Sequence, residues 1–125
     1  MNENIKKIEE LSGQNLAACM QCGKCSAGCP MVDSMEALPN QIIRLLQIDS
    51  DADALEKNTI WRCASCLTCR TRCPRGVELP KVMEALRQLI LRKNKTFVEL
   101  EKIKGKQIEE MPQICFVSNF RKFTP

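Results

Sequence analysis

The chain has 125 residues, a formal charge of +4, nine cysteines, only four Phe and one Trp as aromatics, and no His. That length suits one domain with an extension, and so few aromatics leave a thin core that needs a second source of cohesion. The basic residues are scattered without the aromatic interleaving of a base-stacking surface, so no nucleic-acid partner is expected. No run approaches the roughly 18 apolar residues of a spanning helix, so no membrane insertion is expected either.

The opening MNENIKKIEEL is polar and charged and lacks the apolar stretch of a secretory signal. A cytosolic location follows as the expectation, with thiols kept reduced and available to metal. Ile5, Ile8 and Leu11 recur at helical spacing and Ser12-Gly13 is the expected stop, so residues 1–14 read as an N-terminal helix. Asn15 is placed to cap a short turn, Leu16–Ala18, that delivers Cys19. After a first cysteine block, Met35, Leu38, Ile42, Leu45 and Leu46 form one helical face, with Pro39 suited to a first turn. DSDADALEKN reads as a polar loop with two helical turns.

After a second block, LPKVMEALRQLILRK places Leu79, Val82, Met83, Leu86, Leu89 and Ile90 on one face, with Lys81, Glu84, Arg87 and Arg92 outward. Met83 on that face reads as core filling. The charged KTFVELEKIKGKQIEE is expected to continue as helix until Gly105 interrupts it. Nothing alternates with period two, so the fold is read as all-α. The halves look duplicated: each block ends in Cys-Pro and precedes an M-E-A-L segment, Met35–Leu38 and Met83–Leu86.

Both blocks, CMQCGKCSAGCP from Cys19 and CASCLTCRTRCP from Cys63, follow C-x2-C-x2-C-x3-C-P. In two-cluster ferredoxins with this run, the fourth Cys ligates the other cluster. Cys19, Cys22, Cys25 and Cys73 are therefore assigned to one [4Fe–4S] cluster, and Cys63, Cys66, Cys69 and Cys29 to the other. Zinc prefers separated C-x2-C pairs over an evenly stepped triplet, and a disulfide framework needs an oxidising compartment. Two such sites, each about −2, bring the +4 chain close to neutrality and remove the case for a polyanionic partner.

Gly23 and Gly28 are expected to let the backbone turn and to bring N–H groups towards the sulfurs. Lys24, Arg62, Arg70, Arg72 and Arg75 offset cluster charge collectively, although each taken singly is a solvated surface residue. Trp61 is expected to pack against a cluster or a helix. With no His, no nucleophile beside a base and no glycine-rich nucleotide loop, no catalytic residue is assigned and electron transfer is expected. Cys115, in PQICFVSNF, reads as a small buried hydrophobe. Around it Ile114, Phe116, Val117, Phe120 and Phe123 form an apolar tail suited to a partner.

The blocks joined by MEALPNQIIRLLQ, then W-R-C-x2-C-x2-C-x3-C-P with VELPKVMEALR and the ending SNFRKFTP, resemble the C subunit of heterodisulfide reductase. The resemblance runs from about Leu16 onward; the cysteine blocks are shared by many redox subunits, and the segment 39–47 and the tail narrow it. It implies an α-helical ferredoxin domain over residues 15–95 with two [4Fe–4S] clusters, and a partner-docking extension over 96–125. It also implies a complex in which a flavin- and iron–sulfur-containing A-type subunit delivers electrons and the C-type subunit relays them to a catalytic B-type subunit. In methanogens, that catalytic subunit reduces the mixed disulfide of coenzymes M and B, often with flavin-based electron bifurcation as part of methanogenesis. The chain itself is then a non-catalytic part of an oxidoreductase. Its competitors are a cluster-bearing redox sensor, a subunit of another oxidoreductase, and a free ferredoxin.

Overall fold

In the computed structural model, which describes residues 2–93 and 98–121, the described residues are helical without any strand, as the all-α expectation requires. The chain divides into two compact units, Met1–Lys93 and Asn94–Pro125. Helix α1 (Glu3–Ser12) buries Ile5 and Ile8 and stops at Gly13, whose N–H returns to the Glu9 carbonyl at 2.8 Å. Gly13 has φ 65°, a left-handed turn that costs a residue without Cβ little. Leu11, expected on the buried face, is 46% exposed, and Ser12 turns inward in its place, donating its hydroxyl to the Ile8 carbonyl at 2.6 Å. A 3₁₀ turn then spans Leu16–Ala18, where the Asn15 side chain accepts from the Ala17 N–H at 3.0 Å.

Two short helices, α2 (Lys24–Ala27) and α6 (Thr68–Arg72), lie within the cysteine blocks and pack on each other. Each is followed by a longer helix: α3 (Pro39–Gln47) after the first block and α7 (Leu79–Leu91) after the second. Between them, DSDADALEKN supplies α4 (Asp51–Glu56) and the start of the path into α5 (Thr59–Arg62). Buried Asp51 accepts from the side-chain amides of Asn2 and Asn4 at 2.6 and 2.7 Å, tying α1 to α4. Helices α1, α4, α5 and α6 all pack on α7, so the N-terminal helix belongs to the same unit as both blocks.

The interior is aliphatic, built on Ile8, Ile42, Ile43, Leu46, Val82 and Leu86. Cys19, Cys25, Cys63 and Cys69 pack partly buried against its edge. Helix α3 begins at Pro39, so Met35 and Leu38 precede the helix whose face they were expected to share. Proline disfavours the helical region for the residue before it, and Leu38 is accordingly extended at φ −66°, ψ 153°. The M-E-A-L segments are likewise not equivalent, since Met35–Leu38 precedes α3 while Met83–Leu86 lies inside α7. The structural repeat runs through Leu38-Pro39 and Leu79-Pro80, each opening the long helix that follows a block.

In the second unit a 3₁₀ turn, Leu100–Lys102, precedes α8 (Gly105–Glu110) and α9 (Gln113–Phe120). Gly105 thus opens a helix instead of ending one. The first part of the expected charged helix and Phe123 lie outside the described residues. Cys115 is exposed, contrary to the buried reading. A unit this short has too little volume to enclose side chains fully, and neither α8 nor α9 has a buried residue. Trp61 is also 49% exposed, at a turn of α5 that faces away from the core side of Thr59 and Ile60. Among the described residues no helix is long and apolar enough to cross a membrane.

Candidate metal centre

The two cysteine loops share one backbone pattern. In the first, Gln21 and Gly23 take φ 58° and 77°; in the second, Ser65 and Leu67 take 53° and 64°. These are the second and fourth residues after the leading cysteine of each block. Left-handed residues alternating with others turn successive N–H groups to one side and create a concavity suited to anions. Three of the four carry a Cβ, and each holds that conformation at a cost of about 1–2 kcal/mol. Strain of this kind persists where surrounding structure fixes it, and it clusters at functional sites.

Cys19, Cys22, Cys25 and Cys73 line one recess, of about 390 Å³ counting space open to solvent. Cys63, Cys66, Cys69 and Cys29 line a second, of about 410 Å³. The eight cysteines of the two motifs are thereby gathered in two groups of four, and each block's last cysteine stands with the other block's first three. Leu79 lines both recesses, so the two groups of cysteines border a common side chain. Trp61 lines neither. Among the described residues, no three Cys, Asp or Glu side chains converge closely enough to hold a single metal ion.

The leading cysteine of each block is held from behind in the same way. On α3, Gln47 donates to the Leu16 and Cys19 carbonyls, both at 2.9 Å. On α7, Arg87 donates from Nε to the Ile60 carbonyl at 2.5 Å and from Nη2 to the Cys63 carbonyl at 2.6 Å. In both halves the accepting pair is the leading cysteine and the residue three before it. Arg87 was expected outward, but α5 packs on α7 and turns that position inward, leaving its side chain 17% exposed. Sequence periodicity located neither clamp. The one visible sign was a long polar side chain about two turns into the helix that each Leu-Pro pair opens.

Thiol environments differ with exposure. Burial pushes the Cys69 thiol up to about 11, and the neighbouring Cys63, Cys25 and Cys66 push the same way. Burial also raises Cys25, against a partial lowering by Ser26. Cys66, exposed, is held below its ordinary value by the Thr68 hydroxyl and then the Thr68 backbone N–H. Metals bind the thiolate, so a metal taken up at Cys69 or Cys25, whose thiols burial pushes up, would release protons. At the first recess, Cys73 Sγ accepts the Val77 N–H at 3.4 Å and Cys19 Sγ accepts the Gln21 amide at 3.5 Å. Gly28 has φ −103°, an ordinary value; its missing side chain instead makes room for Arg72, whose Nη1 lies 2.0 Å from where a Cβ would sit.

Residues 15–77 match the family described as the 4Fe-4S dicluster domain. Among curated relatives, the C subunit of the ferredoxin:CoB-CoM heterodisulfide reductase of Methanosarcina mazei is 33% identical over 93 residues, covering 74% of this chain and 57% of the relative. The C2 subunit of the H(2)/formate:CoB-CoM heterodisulfide,ferredoxin reductase of Methanococcus maripaludis is 37% identical over 99 residues, covering 74% and 52%. The iron-sulfur C subunit of the CoB–CoM heterodisulfide reductase of Methanopyrus kandleri is 34% identical over 94 residues, covering 74% and 49%. The chain spans about half the length of these relatives.

Proposed function

The chain belongs to the 4Fe-4S dicluster domain family and is a relative of the C subunits of heterodisulfide reductases, and from that premise we propose that it is an electron-transfer subunit with two [4Fe–4S] clusters. Cys19, Cys22, Cys25 and Cys73 would hold the first cluster, and Cys63, Cys66, Cys69 and Cys29 the second. The donor set fits: each recess is lined by four soft thiols, next to a loop of anion-binding geometry. When bound, each cluster would supply a one-electron redox centre without an open position for substrate.

The chain's own residues hold and insulate these centres. Gln47 and Arg87 fix the leading cysteines, the Gln21 and Val77 N–H groups offset sulfur charge, and Leu67, Met31 and Met83 line the second recess. The observation that carries the reading is that the two cysteine groups share Leu79 in their linings, because neighbouring centres make a relay and remote ones do not. The partners on this reading are a flavin- and iron–sulfur-bearing A-type subunit as donor and a catalytic B-type subunit as acceptor, in the cytosol. Residues 96–125, where Ile108, Ile114 and Val117 are exposed, are the docking extension.

Iron and sulfide analysis of anaerobically prepared chain, with low-temperature EPR, tests the assignment. About eight of each per chain and interacting S = 1/2 signals on reduction are expected. Two zinc ions without sulfide, from cells given ample iron, would overturn it.

A further inference from the structure

The two recesses are built alike but lined differently. At the first, Ser26 and Asn40 grip each other twice: the Ser26 hydroxyl donates to Asn40 Oδ1 at 2.5 Å, and the Asn40 backbone N–H donates to Ser26 Oγ at 3.1 Å. With its oxygen so engaged, the Asn40 side chain turns its amide N–H to Gln21 Oε1, at 3.4 Å. The Gln21 amide is thereby oriented, and the end left over, Nε2, lies 3.5 Å from Cys19 Sγ. A second N–H, from Val77, reaches Cys73 Sγ. Arg75 also lines this recess.

The equivalent positions of the second half do something else. Gln21 corresponds to Ser65, too short to reach a sulfur in the same way, and Ser26 to Arg70. Asn40, after Leu38-Pro39, corresponds to Lys81, after Leu79-Pro80. Arg70 and Lys81 both pair with Glu78, Arg70 at 2.7 Å, so the charges there engage one another. Among the described residues no charged side chain lines the second recess; Met31, Met35, Met83 and Leu67 do. The polar side chain that touches sulfur there is Thr68, on exposed Cys66 at 3.4 Å. Arg87 lies behind Cys63, but its guanidinium is committed to two carbonyls and to Glu84.

Reduction adds negative charge to a cluster and its sulfurs, so N–H groups aimed at sulfur favour the reduced form. Resting on the cluster reading above, we propose that Gln21, oriented by the positioning residue Asn40, makes the Cys19/Cys22/Cys25/Cys73 site the higher in reduction potential. A single electron shared by the two sites then resides mainly on the first, and the second site is the step it leaves.

EPR-monitored potentiometry on the full, cluster-loaded chain tests this. Gln21→Leu is expected to move the higher midpoint downward and leave the lower one in place. Asn40→Ala should move the same midpoint in the same direction by less. If Gln21→Leu assembles incompletely, Asn40→Ala carries the test, since it leaves both cysteine loops intact. Variants that keep about eight iron yet leave both midpoints unchanged, or that move the lower one, would overturn the proposal. Wild-type chain without sulfide would instead overturn the cluster reading on which it rests.

Discussion

Gly23 and Gly28 look interchangeable in the first block, and the structure gives them different work. Gly23 holds φ 77° with open space where a Cβ would lie, so its requirement is backbone freedom. Gly28 has an ordinary φ and needs volume, because Arg72 lies across it. Gly23→Ala is expected to lower unfolding free energy by about 1 kcal/mol, and Gly23→Asn to recover part of that, since Asn tolerates the left-handed region. Urea unfolding of the loaded chain checks this, and equal losses for Ala and Asn would remove the backbone explanation. The sequence showed that the loop must turn here, because glycine between cysteines signals it. It did not show that Gln21, Ser65 and Leu67 adopt the same conformation, because those residue types resist it and only the closed loop enforces it.

Among the elements, α3 and α7 do two tasks, burying an aliphatic face and clamping a cysteine loop. The Ile60 and Cys63 carbonyls belong to the open C-terminal end of α5, where intrahelical partners run out, and Arg87 satisfies both. Arg87→Ala would leave those acceptors without their charged donor and is expected to cost about 2 kcal/mol. Arg87→Lys should recover less than half, since an ammonium cannot repeat the fork. Iron retained under mild chelation is the second readout: the variant should lose its more labile half first, and equal loss from both sites would count against a local clamp. Periodicity correctly located the buried Leu79, Val82, Met83 and Leu86 of α7, because one side of that helix meets most of the unit. It misplaced Arg87 and Leu11, since a stripe read on one helix does not reveal which neighbour covers its edge.

At the scale of the molecule, all eight motif cysteines lie in the unit Met1–Lys93 and the exposed apolar Ile114 and Val117 lie in the other. A chain ending at Lys93 is therefore expected to retain about eight iron, and loss of iron on that truncation would make the second unit part of the metal centre. Deleting residues 114–125 should leave iron intact and weaken co-purification with the A-type and B-type subunits proposed above as partners; undiminished capture would place docking elsewhere. The residues by themselves determined the all-α class and the twice-stepped cysteine motif, with the grouping of thiols that it implies. Thiol spacing and helical period are local properties that a chain displays before it folds. What only the tertiary structure decided was the asymmetry between two like sites. Gln21, Asn40 and Ser26 in one half, and Arg70, Glu78 and Lys81 in the other, acquire their roles only when α2 docks on α3 and α6 on α7. Such a network depends on which side chains meet across helices, and no spacing along the chain encodes that.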